Sequence, residues 1–153
     1  MIIRPANKND LPVLLGFEQE IIKAERPFNN TLKEEAIHFY DLKQLIENEN
    51  AFVVVAETDN KVIGSGFAVI RQEADEFVKH TRYSYLGFMY VKPEHRGKGI
   101  IKMIIESLNE WSLSKGIIEI RLQLFDENAV AKRTYLKLGF KPHMLEMRMG
   151  LDG

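Results

Sequence analysis

Four residues, Arg96-Gly97-Lys98-Gly99, concentrate the chemistry of this chain. They lie between a β-type run, Tyr85 to Val91, and a helical segment that follows directly, with Pro93 ending the first before the second begins. Strand, glycine-rich turn and helix N-terminus together form an anion-binding arrangement. The first backbone N–H groups of a helix lack intrahelical partners, and the helix dipole places partial positive charge there. Gly97 and Gly99 let a phosphate approach the backbone with no Cβ in the way, and Arg96 and Lys98 add full charges. The stretch reads as a cradle for a pyrophosphate. Two other glycine-rich turns fit less well. A P-loop requires Ser or Thr after Gly-Lys, where Gly99 stands, and a dinucleotide fingerprint requires glycine where Lys102 stands.

The chain that must position these residues has 153 residues, of which 45% are hydrophobic and 28% charged, enough for one domain with a sizeable core. A net charge of −1 provides no basic excess for nucleic acid or an anionic membrane surface. The absence of cysteine excludes disulfides, thiolate metal sites and a catalytic thiol. The N-terminal residues lack the apolar core of a signal peptide, and no apolar run reaches the ~18 residues of a membrane span, so a cytoplasmic protein is expected. His38, His80, His95 and His143 are scattered without ligand spacing, and no metal is expected.

Hydrophobic periodicity supplies the elements. A short strand, Ile2 to Arg4, precedes a helix with Leu11, Leu14, Leu15, Phe17, Ile21 and Ile22 on one stripe. Thr31 and Glu34 have capping-box spacing and predict a second helix from there to about Asn48. Ala51–Glu57 and Val62–Arg71 read as a hairpin turned at Thr58-Asp-Asn-Lys61. Residues 72–82 are charged and aperiodic, a solvated loop. The Tyr85–Val91 strand contains Gly87, and a glycine within a strand marks a bulge or a close backbone approach. The helix after the cradle carries Ile101, Ile104, Ile105, Leu108 and Trp111 inward and stops at Gly116. A strand from Ile117 to Phe125, a helix from Ala129 to Leu138 closed by Gly139, and a last strand from Phe140 to Met149 complete the order βααβββαβαβ. This is an α/β domain, a mixed and mostly antiparallel sheet flanked by about four helices.

Two segments closely resemble the signatures of the GNAT-type N-acetyltransferase superfamily, whose fold would span residues 1–153. The first is Val91-Lys-Pro93-Glu-His-Arg96-Gly-Lys-Gly99-Ile-Ile101, and the second is Asn128-Ala-Val-Ala131-Lys-Arg-Thr-Tyr135-Leu-Lys-Leu-Gly139-Phe140. One position departs: the first signature ends on Gly or Ala, and here on Ile101. The resemblance implies acetyl-CoA as co-substrate, held by Arg96, Gly97, Lys98, Gly99, Ile100 and Ile101 at its phosphates, by backbone of Met89, Tyr90 and Val91, and by Asn128, Ala131 and Tyr135. It implies acetyl transfer to a primary amine by direct attack in a ternary complex. Backbone N–H groups near Met89–Val91 would steady the carbonyl oxygen, and Tyr135 would protonate the departing thiolate.

The general base is not apparent. Some relatives place Glu or His where Tyr85 stands, and a tyrosine there holds a water in line, or accepts a proton only if its pKa falls. Period-two counting puts Tyr83, Tyr85, Met89 and Val91 on one face. Tyr83 and Tyr85 then either line the acceptor cleft or pack under the first helices. Glu18, Glu20 and Glu25 are candidates for binding a cationic acceptor, or else a solvated helix face. Asn128 reads as a helix N-cap as readily as a cofactor contact. A small-molecule or peptide amine is the expected partner. A homodimer paired through Leu145, Met147 and Met149 is possible from the alternation of the last strand. The alternative of a different class is a non-catalytic acyl-CoA sensor or interaction module of the same fold.

Overall fold

The structure, a computed structural model, describes residues 1–152. It divides into two compact units, Met1–Gln123 and a second that begins at Leu124.

The first unit is built on a five-stranded sheet in the order β1-β2-β3-β4-β5: β1 (Ile2–Pro5), β2 (Ala51–Thr58), β3 (Lys61–Gln72), β4 (Arg82–Val91) and β5 (Ile120–Arg121). All neighbours are antiparallel except β4 and β5. The β2–β3 hairpin turns through Asp59 and Asn60, both at positive φ (50° and 59°), the pair of left-handed residues that a tight hairpin needs. Side-chain alternation along the strands sends Val53, Val55 and Phe67 to one face. There they meet Leu14 and Phe17 of α1 (Leu11–Glu25) and Leu42 of α2 (Leu42–Glu47). Phe52, one residue out of phase, stacks on Trp111 of α3 (Ile100–Ser114) on the other face, ring centroids 5.6 Å apart. Ile104, Ile105 and Leu108 bury the same side of α3, each worth about 2 kcal/mol of apolar burial.

Three expectations are corrected. The second helix does not run from Thr31; it is six residues long, capped by Asp41, whose Oδ1 accepts the Gln44 N–H at 3.1 Å. Side chains of α1 and of Arg26, which follows it, claim the backbone groups a longer helix would use. The fully buried Glu18 carboxylate accepts the N–H groups of Phe39 and Tyr40 (both 2.9 Å), and the Arg26 guanidinium and Gln19 amide donate to the carbonyls of Lys33 and Ile37. Thr31 bonds to Asn29 in a local Asx turn, so the Thr31–Glu34 capping box is not formed. Second, the strand foreseen over Ile117–Phe125 pairs only at Ile120 and Arg121. Third, Phe140 to Met149 forms no strand. Alternation supplies a strand pattern, but a strand exists only where a ladder forms, and Pro142 lacks an N–H to donate.

The second unit contains α4 (Ala129–Lys137). Asn128 caps it, Oδ1 accepting the Ala131 N–H at 3.1 Å, and Gly139 ends it at φ 98°. Beyond lie Met144, Leu145, Met147 and Met149, each at least 67% exposed. Among the described residues, no helix is long and apolar enough to cross a membrane.

Candidate active site

The cradle is formed as its sequence requires. After Val91 the chain makes a single 3₁₀ turn at Pro93–His95, runs extended through Arg96, and passes Gly97 and Gly99 at φ 77° and 76° before α3 opens at Ile100. Side chains with a Cβ rarely adopt that φ, which is why two glycines stand here. The first intrahelical bond runs from the Met103 N–H to the Gly99 carbonyl, 3.2 Å. The N–H groups of Ile100, Ile101 and Lys102 therefore precede the helical ladder and carry its positive end. A Cβ placed on Gly97 or Gly99 would meet nothing within 4 Å, so the space before these amides is open, as a bound diphosphate requires. Arg96 also fastens the turn, its Nε donating to the Val91 carbonyl at 2.8 Å, while its guanidinium lies 5.7 Å from the Tyr90 ring. Ile100 is the buried residue of this first turn, and Ile101, expected to point inward, is only half-buried.

Gly87 does mark a bulge. Ser65 pairs with Tyr90 and Phe67 with Gly87, so Phe88 and Met89 stand opposite the single residue Gly66. Phe88 takes φ 60°, an unfavourable conformation for a bulky side chain that costs on the order of 1–3 kcal/mol. Packing holds it there: Phe88 is 2% exposed against Phe67 and Tyr40. A Cβ on Gly87 would sit 2.8 Å from Phe67, so the bulge needs glycine beside it.

The bulge also resets side-chain alternation. Tyr85, Phe88 and Tyr90 share the α1 face. Met89, which with Ile104 crowds Gly66, lies on the α3 face, as does Val91 beside Gly64. The single face expected for Tyr83, Tyr85, Met89 and Val91 is therefore split, because plain period-two counting does not survive an inserted residue. Lys92 donates its N–H to Ile63 of β3 at 2.8 Å, so by alternation the N–H groups of Met89 and Val91 point to the opposite edge of β4. β5 pairs with that edge only at Ser84 and Tyr85.

On the α1 face, Tyr85 packs beneath Arg71, Cζ 3.8 Å from the ring centroid, and its hydroxyl donates toward Gln123 Oε1 at 3.4 Å. Burial pushes the Tyr85 phenol up, so it gives up its proton less readily than a free tyrosine. Burial does the same to Tyr40, with the Glu25 charge adding to the effect. Of the three glutamates, Glu18 is the buried anchor already described and also holds His38 Nδ1 at 2.7 Å. Glu20 lines a shallow cleft of about 450 Å³ with Phe17, Tyr90 and Lys92. Glu25 is half-buried, and burial holds its carboxyl above the ordinary carboxylate range. A carboxyl so raised binds its proton more tightly folded than unfolded. Its contribution to stability is thus largest below the ordinary carboxylate pKa and declines as pH rises toward the raised value. Glu25→Gln is expected to raise Tm at neutral pH and to leave it unchanged near about pH 3. Thermal melts at the two pH values check this; an equal gain at both would contradict it.

Tyr135, Asn128 and Ala131 all lie on or at the cap of α4 in the second unit, where the Tyr135 ring meets Phe140 edge-on at 5.7 Å. Sequence reasoning overlooked Arg71 and Gln123, whose proximity to Tyr85 depends on strand register, and Tyr40, which a helical reading of its segment concealed.

Comparison with known proteins bears on this arrangement. Residues 18–140 match the model of the acetyltransferase (GNAT) family. An aminoglycoside N(6')-acetyltransferase type 1 of Acinetobacter haemolyticus is 29% identical over 110 residues, covering 70% of this chain and 74% of that protein. A thialysine N-epsilon-acetyltransferase of Bos taurus is 45% identical over 58 residues, 38% of this chain and 34% of that one. The solved structure of an aminoglycoside N-acetyltransferase in complex with CoA superposes with a TM-score of 0.73 at 20% identity, over 97% of this chain and 99% of that chain.

Proposed function

We propose, for a chain that belongs to the acetyltransferase (GNAT) family and moves the acetyl group of acetyl-CoA to an amine, that the turn of residues 96–99 and the first amides of α3 hold the diphosphate of that co-substrate. The observation that carries this reading is the left-handed turn through Gly97 and Gly99, open at both glycines, which leads directly into the free N–H groups of α3 and contains Arg96 and Lys98. Acetyl-CoA supplies a thioester whose carbonyl a neutral amine can attack. The N–H groups of Met89 and Val91, on the β4 edge beyond the last β5 pair, are the donors assigned to the carbonyl oxygen, one such donor being worth ~3 kcal/mol. Tyr135 keeps the role of proton donor to the departing sulfur, with Asn128 and Ala131 as further co-substrate contacts; their support is the Asn128…Tyr135 signature. Tyr85, its proton held more tightly, is assigned to orienting the acceptor or a water and not to accepting the proton. The acceptor is a small-molecule amine and the location cytoplasmic.

CoA release from acetyl-CoA, followed across a panel of amines, tests the reading. Amine-dependent release is expected; binding of CoA without release for any amine would point to a sensor.

The exposed apolar side chains after α4 support a homodimer. Leu145, Met147, Met149 and Leu151 alternate with polar neighbours, the pattern of a strand awaiting a partner, and a second copy pairing antiparallel supplies one. Light scattering is expected to give twice the chain mass, and Met147→Lys to give the monomer. A monomeric parent protein would rule the dimer out.

A further inference from the structure

We propose that the amine acceptor carries an anionic group, as an amino acid does, and that Arg71 binds it; this rests on the acetyl-transfer reading above and names its substrate class. The α1 face of the sheet at Tyr85 presents two charges that the fold leaves uncompensated. Arg71, at the exposed end of β3, sits over the Tyr85 ring and, among the described residues, has no carboxylate within ion-pairing distance. The contrast with its neighbour is sharp. Arg121 packs over Tyr83 in the same way, 4.0 Å from the ring centroid, but is tied to both Glu73 and Glu119. A guanidinium stacked on an aromatic ring keeps its planar fork of N–H donors at its rim, where a carboxylate is gripped by two parallel bonds.

The charge of Glu25 also acts on Tyr85. Leu14, Glu18, Ile21 and Glu25 recur at three- and four-residue spacing and so form one stripe of α1. Glu18 holds the backbone of Tyr40, and Ile21 packs on the cluster that Tyr40 and Tyr85 also cover. Glu25 follows one turn on and, among the described residues, makes no ion pair. A cation over Tyr85 and an anion on the α1 stripe above the same cluster, with no ion pair between them, match a zwitterion and match a polycation poorly.

The position agrees with the chemistry. The β4 edge loses its β5 partner at Tyr85, and the assigned carbonyl donor, Met89, is four residues on, about 13 Å of strand. The acceptor is thus an aliphatic amine whose anionic group lies several bonds from the reacting nitrogen.

Acceptor pairs that differ only in a carboxylate test this: L-lysine against 1,5-diaminopentane, and L-ornithine against 1,4-diaminobutane, with an aminoglycoside alongside. The parent enzyme is expected to favour the amino acid in at least one pair by about tenfold or more in kcat/KM. Arg71→Ala is expected to collapse that ratio toward one, and Arg71→Lys to restore part of it. A ratio of rates is indifferent to the fraction of variant that folds. Diamines or the aminoglycoside as the better substrates would overturn the proposal while leaving acetyl transfer intact, and so would a preference untouched by Arg71→Ala. No CoA release with any amine would remove both readings together.

Discussion

Gly99→Val is expected to weaken acetyl-CoA binding by more than about tenfold while the protein remains folded. Two effects act in the same direction. Gly99 sits at φ 76°, and a β-branched residue held in that region costs on the order of 1–2 kcal/mol, so the turn relaxes away from its present path. The new side chain also enters space that no protein atom occupies, at the residue that precedes the first amides of α3. The melting temperature falls modestly from the first effect; the second acts on the ligand alone. Isothermal titration with CoA, paired with a thermal melt, separates them. Parental CoA affinity in a folded Gly99→Val protein would mean the diphosphate is not bound here, and Gly99→Ala is expected to lie between the two.

Tyr135→Phe is expected to lower turnover by roughly 10²-fold with little change in CoA affinity, the range for loss of a positioned general acid. A phenol with a pKa near ~10 is protonated at neutral pH and can supply a thiolate whose conjugate acid lies near ~8.5 without a steep uphill step. The variant keeps the ring that meets Phe140 edge-on, so the packing of α4 is retained and only the hydroxyl is removed. Single-turnover rates at saturating acetyl-CoA measure the effect. Unchanged turnover would take Tyr135 out of the mechanism.

The parts of this site legible from sequence are those governed by local rules. Gly97 and Gly99 announce a turn that only glycine makes easily, Asn128 announces a cap, and Gly87 announces a bulge; each is found where the residue type demands it. What was not legible depends on residues distant in sequence. The helix expected from Thr31 fails because Glu18 and Gln19 on α1, and Arg26 just after it, capture backbone groups of the segment 33–40, a competition no periodicity in that segment reveals. The face of Met89 and Val91 was misassigned because one residue at positive φ, Phe88, shifts the phase of the strand, and nothing local marks a phenylalanine for that conformation. Glu18 illustrates both limits at once. As a charge on a helix it resembles Glu20 and Glu25, yet it is fully buried as the peg on which the Tyr40 loop hangs. The Arg71–Tyr85–Gln123 grouping joins β3, β4 and the residues after β5, and only the register of the ladders brings it together.

A crystal structure of the protein soaked with acetyl-CoA addresses the central claim most directly. The diphosphate is expected against the backbone N–H groups that follow Arg96, with the thioester directed along the open edge of β4 toward Met89. A nucleotide found elsewhere on the molecule, with the turn at residues 97–99 vacant, would contradict it.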